Sequence, residues 1–124
     1  MDRIERLTPQ EESIMRAFWS GHVRIIRDII QMLPSPKPPY TTVASIVKNL
    51  EAKGYVRGVH KGRCYEYSVL ITEKDYSEST VGRVVQQFFT GSYKELVQHF
   101  VAKSKISAEE LREVIDLIEK GESR

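Results

Sequence analysis

Between Tyr40 and Tyr67 the chain places an amphipathic helix, a stop signal and two short β-prone runs in immediate succession. Val43, Ile46, Val47 and Leu50 recur at i, i+3, i+4 and i+7, which gathers four apolar groups on one side of a helix. The other side carries Thr41, Ala44, Ser45, Lys48 and Ala52, with Thr42 and Asn49 at its margins. These groups are small, hydrogen-bonding or cationic, so the helix backbone can approach a polyanion closely. Gly54 is a left-handed stop. Tyr55 to His60 and Cys64 to Leu70 read as strands joined at Lys61-Gly62-Arg63. From Lys53 to Cys64 there are four cations, Lys53, Arg57, Lys61 and Arg63, and no acid. A helix followed at once by a basic hairpin is the order of a winged helix.

The preceding residues supply two more helices. Thr8-Pro9-Gln10-Glu11 is a capped start, with threonine as N-cap, proline at the first helical position and glutamate three residues after the cap. That helix reaches about Ser20, turns Ile14, Ala17 and Phe18 inward, leaves Trp19 half-buried and ends at Gly21. A second runs from about Arg24 to Leu33 on Ile25, Ile26, Ile29 and Ile30. Its Arg24 and Arg27 are placed to approach phosphate or simply to face solvent. Pro34, Pro36, Pro38 and Pro39 forbid helix and make a stiff turn into the third. The expected class is therefore mostly α with a small β wing, a winged helix-turn-helix domain over residues 1–71.

Residues 72–124 have a different texture. Thr72-Glu73-Lys74-Asp75, Ser92-Tyr93-Lys94-Glu95 and Ser107-Ala108-Glu109-Glu110 are three further capped starts. The first of these helices is expected to run to Thr90 and the last to close at Gly121. Val84, Phe88 and Phe89 mark the apolar side of the first, and Leu96 and Phe100 that of the second. Leu111, Val114, Ile115 and Ile118 mark the third. Three such helices hold more apolar surface than they can hide among themselves, and a twofold partner would cover the same patch twice. We therefore expect a C-terminal helical dimerisation domain. Two tied winged helices would read two half-sites of a palindromic operator.

Charge divides the same way. Residues 1–71 carry eleven Lys and Arg against seven Asp and Glu, whereas residues 72–124 carry eight against ten. The basic part is the one expected to meet an anionic partner. One cysteine cannot close an intrachain disulfide, and His22, His60 and His99 lack ligand spacing, so no metal site and no cofactor is expected. No Gly-rich phosphate loop or nucleophile elbow suggests an enzyme. No apolar run approaches a membrane span and the charged start does not read as a signal peptide, which together suggest a cytoplasmic protein.

The residues also resemble the BlaI/MecI family of bacterial penicillinase repressors over essentially the whole chain. The shared features are Leu7-Thr8-Pro9 with Glu12 and Trp19, Tyr40-Thr41-Thr42-Val43, Leu50-Glu51-Ala52-Lys53-Gly54-Tyr55-Val56, Gly62-Arg63, Gly91-Ser92 and Ser107-Ala108-Glu109-Glu110-Leu111. The resemblance implies a DNA-binding repressor with an intertwined C-terminal dimer. It also implies relief by cleavage in the penultimate helix, triggered by a membrane-bound zinc metalloprotease that senses β-lactam. The family's Asn-Phe cleavage pair is matched here by His99-Phe100, with the phenylalanine kept and the asparagine not. The copper-responsive branch carries C-terminal cysteines, and none follows Cys64 in this chain.

Helix three offers no arginine, so bidentate guanine contacts are scarce. Thr41, Thr42 and Ser45 are expected to read bases, with Ala44 against thymine methyls. Lys48, Asn49, Arg57, Lys61 and Arg63 are expected to hold the DNA backbone. The alternative is a winged helix that docks a protein without binding an operator.

Overall fold

The computed structural model describes residues 4–21 and 25–121. Its elements run α1 (Pro9–Ser20), α2 (Ile26–Met32), α3 (Tyr40–Ala52), β1 (Val56–Lys61), β2 (Cys64–Val69), α4 (Glu73–Phe88), α5 (Tyr93–Ala102) and α6 (Ala108–Glu119). They divide into two compact units, Met1–Thr80 and Val81–Arg124.

Local chemistry explains most element ends. At α1 the Thr8 hydroxyl accepts from the Glu11 amide at 3.2 Å, and the Glu11 carboxylate accepts from the Thr8 amide at 2.9 Å. This reciprocal pair satisfies two amides that a helix start otherwise leaves unpaired. The second helix begins at Ile26 rather than Arg24, after an extended Ile25 with no side-chain cap. Arg24 and His22 lie outside the described residues. The third helix ends in a Schellman motif: the Tyr55 amide donates to Leu50 O at 2.9 Å and the Gly54 amide to Glu51 O at 3.0 Å. Gly54 sits at φ +85, a conformation that costs glycine little and side-chain residues more. Tyr55 and Leu50, which flank the motif, are both fully buried.

The two strands pair antiparallel, with Val56 opposite Val69 and Lys61 opposite Cys64. That register leaves Gly62 and Arg63 as a two-residue turn. Gly62 occupies its first position at φ +61, which the II′ turns of hairpins require.

In Met1–Thr80 one core joins all these elements. Met15 and Phe18 from α1, Ile29 from α2, Val47 and Leu50 from α3, and Tyr55 at the wing's root are 0–1% exposed. Met15 joins the expected inward side of α1, and Trp19 is half-buried as its position suggests. Trp19 Nε1 donates to Ile71 O at 2.9 Å, and Tyr76 Oη donates to a Glu12 carboxylate oxygen at 2.6 Å. These bonds fasten the end of the wing and the first turns of α4 to α1. They carry the first unit beyond the composition change at residues 71 and 72.

In Val81–Arg124, α4 stops at Phe88, short of Thr90. Thr90 and Gly91 both adopt positive φ, 50 and 79, and turn the chain. Ser92 and Ser107 then cap α5 and α6, accepting from the Glu95 and Glu110 amides at 3.1 and 3.0 Å. Val85 is 1% exposed. Neither α5 nor α6 has a buried residue.

Candidate nucleic-acid interface

The site begins with the way α3 is pinned. Val43, Val47 and Leu50 are fully buried, which leaves Thr41, Ser45, Lys48, Asn49 and Ala52 exposed on the far side. Ala44 is half-buried and packs against the core edge, so its methyl offers less outward surface than the helix pattern suggests. Thr42 is exposed but lies on the flank toward α1. With Ile46, Gln10, Ser13 and the proline segment it lines an open recess of about 240 Å³.

The wing stands on the opposite flank of α3. Besides its root in the core, it is tied to α3 by a hydrogen bond from the Gly58 amide to a Glu51 carboxylate oxygen, 3.1 Å long. Strand alternation sorts the hairpin's side chains. Val56, Gly58 and His60 share one face with Val69, Tyr67 and Tyr65, and the buried Val56 and Tyr67 make this the core-facing side. Arg57, Val59 and Lys61 share the other face with Ser68, Glu66 and Cys64, and all six are exposed. Arg63 projects from the turn. Lys61 Nζ lies 3.6 Å from a Glu66 carboxylate oxygen, a loose and solvated pair worth little by itself.

One cation of the basic stretch is not part of this surface. Lys53 Nζ lies 2.6 Å from the Glu11 carboxylate and 2.9 Å from Arg6 O, so its charge is used inside the unit. The sequence counts Lys53 with the wing, but its long-range partner draws it back across α1. Glu11 is 5% exposed. Burial pushes its carboxyl upward, yet the Lys53 ammonium and the Thr8 amide together outweigh burial and hold it below the usual glutamate value. The exposed basic set is Lys48, Arg57, Lys61 and Arg63, with Asn49 beside it on α3.

A second surface lies in Val81–Arg124. Phe88 is 69% exposed and Ile118 60%. Val84, Phe100, Val114 and Ile115 are also exposed, whereas Phe89, Leu96 and Leu111 are half-buried. Val81, Val97, Val101 and Leu117, apolar positions of the same three helices, are exposed as well, and Tyr93 adds a ring that the apolar pattern does not include. His99 and Phe100 occupy the last turn of α5, where the His99 carbonyl accepts from the Lys103 amide at 3.2 Å. The His99 ring meets Phe89 edge-on at 5.9 Å. Among the described residues no helix is long and apolar enough to cross a membrane.

Comparison with known proteins agrees with this architecture. The sequence model described as penicillinase repressor matches residues 7–120. The penicillinase repressor of Bacillus licheniformis is 25% identical over 129 aligned residues, spanning 100% of this chain and 98% of the relative. The methicillin resistance regulatory protein MecI of Staphylococcus aureus strain N315 is 23% identical over 124 residues, 96% of this chain and 98% of its own length. The MecI protein of Staphylococcus epidermidis shows the same values. With a family match that runs from the start of α1 through the end of α6, the chain belongs to the penicillinase repressor family.

Proposed function

We propose that this protein is a transcriptional repressor that binds duplex DNA as a homodimer on a palindromic operator. The observation that carries the reading is the pairing, within one packed unit, of an uncovered polar helix face with a cationic hairpin beside it. Thr41 and Ser45 on α3 present hydroxyls suited to base edges, with Thr42 at the flank and Ala44 in lesser roles. Lys48, Asn49, Arg57, Lys61 and Arg63 suit phosphate contacts, which position a protein without reading sequence. Relatives named as a penicillinase repressor and a resistance regulator support repression as the outcome.

The exposed apolar side chains of Val81–Arg124 support a symmetric pairing of two copies, because large uncovered patches mark association surfaces. Relief of repression would follow if a β-lactam or cell-wall signal, relayed by a membrane-bound zinc metalloprotease, led to cutting at His99-Phe100. The exposed last turn of α5 is a position from which a helix opens readily. A cut there would remove α6 from the pairing surface.

Gel filtration with light scattering, followed by duplex titration at two salt concentrations, tests the reading. A dimer whose affinity falls steeply with salt is expected. A monomer at micromolar concentration, or a protein that ignores duplex in dilute salt, would reject it in favour of a protein-docking winged helix.

A further inference from the structure

A line of aromatic rings leads from the core out along the wing. Phe18 meets Tyr67 at 6.2 Å between centroids, Tyr67 meets Tyr65 at 6.3 Å, and Tyr65 meets His60 edge-on at 5.0 Å. The register places Tyr67 opposite Gly58 and Tyr65 opposite His60. A Cβ on Gly58 would come within 2.7 Å of Tyr67 Cε2, so only glycine there lets the Tyr67 ring lie across the neighbouring strand. The line therefore follows the hairpin face turned toward the body of the unit, opposite the face that bears Arg57 and Lys61.

Tyr40 lies on the flank of α3 that bonds to the wing. It is the first residue of α3, and the spacing 40, 44, 47, 51 sets it on the same flank as Glu51, which bonds to the wing at Gly58. Burial, and after it the charges of Glu51, Tyr40 and Tyr65, push the Tyr67 hydroxyl above its usual value. Four of the five tyrosines in Met1–Thr80 differ in what their hydroxyls do. Tyr55 donates to Glu5 O and Tyr76 to Glu12. Tyr40 and Tyr65 are 56% and 52% exposed, and among the described residues neither hydroxyl has a hydrogen-bond partner.

We infer that Tyr40 and Tyr65 form a neutral phosphate-binding pair in the trough between α3 and the wing, each phenol donating to a phosphodiester oxygen of the DNA. The inference rests on the DNA-binding reading above and adds contacts that formal charge does not reveal. Tyrosine hydroxyls are competent phosphate donors. Their rings have few torsions to immobilise, and here His60 packs against one of them. Because a phenol carries no charge, such a contact releases no counterion, which separates it from the lysine and arginine contacts.

The test is a salt series of fluorescence-anisotropy titrations with the full-length protein. The probes are a duplex selected by the protein from a random pool and a mixed-sequence duplex of equal length. Each of Tyr40→Phe and Tyr65→Phe should weaken binding about threefold and the double variant about tenfold, on both duplexes alike. The slope of log affinity against log salt should stay at the wild-type value, whereas Lys61→Ala and Arg63→Ala should each lower it by about one. Phenylalanine keeps the rings, so the fold is retained. A double variant that binds like wild type, loses only the selected duplex or changes the salt slope would overturn this inference alone. Wild-type protein that binds neither probe would overturn the DNA-binding reading together with it.

Discussion

Met1–Thr80 and Val81–Arg124 are built from similar amphipathic helices, yet they end in opposite states of burial. In the first unit, side chains from three helices and the root of the wing interlock until Met15, Ile29, Val43, Val47, Leu50 and Tyr55 are inaccessible. In the second, α5 and α6 bury no residue completely and Phe88 and Ile118 stand mostly in water. The difference lies in geometry rather than hydrophobicity. Crossed helices and a hairpin surround a core from several sides, whereas three consecutive helices leave their apolar stripes partly open. A unit of the first kind covers its own apolar side chains, and a unit of the second kind leaves a large share of them exposed.

The sharpest way to break this contrast is to truncate one large apolar side chain in each unit. Phe18→Ala should destabilise Met1–Thr80 by about 4 kcal/mol, read as a lower denaturant midpoint. Ile118→Ala, at a 60% exposed position, should barely move the midpoint of dilute protein. Comparable losses at both sites would mean that the second unit is as self-sufficient as the first.

Charge placed on the open surface comes next. Phe88→Asp combined with Ile118→Asp should yield monomers by light scattering and weaken operator binding by about a hundredfold, since the second half-site would lose its tethered partner. Retention of a tight dimer would move the pairing surface elsewhere.

Inside the first unit, Lys53→Ala should cost about 2 kcal/mol by stranding the buried Glu11 carboxylate. The same pair sets a pH dependence. Glu11 titrates below its ordinary value near 4.5, so its contribution is complete above that pH and is lost as the pH falls through the lower folded value. Unfolding curves between pH 6 and about 3 should show this loss, and Glu11→Gln should flatten it.

The smallest effect concerns the second unit's backbone. Ser104 ends α5 at φ 61, with Lys105 N bonded to Phe100 O at 2.9 Å, a position where glycine is at ease. Ser104→Gly should stabilise this helix end by roughly 0.5–1 kcal/mol, visible as slower amide exchange through α5. No change would mean that the strain is already relieved by neighbours.

What the amino-acid order determined alone are the features made within a few residues. The caps at Thr8 and Ser107, the stop at Gly54 and the turn at Gly62 all follow from bonds spanning three to five positions, although the pairing of Lys61 with Cys64 makes that turn one residue shorter than the sequence suggests. For the same reason the inward stripe of α3 and the basic character of the wing were legible, because helix and strand periods sort side chains without knowledge of the partner. Only the tertiary structure decided which charges are spent inside and which aromatic rings stay outside. Lys53 finds Glu11 forty-two residues away, and Tyr76 finds Glu12 sixty-four residues away. Tyr65 and Tyr67 have identical spacing signals, yet one is buried against Phe18 and the other exposed. Periodicity assigns them to the same face, but distance from the core, set by the packing of α1 against the wing, separates their roles.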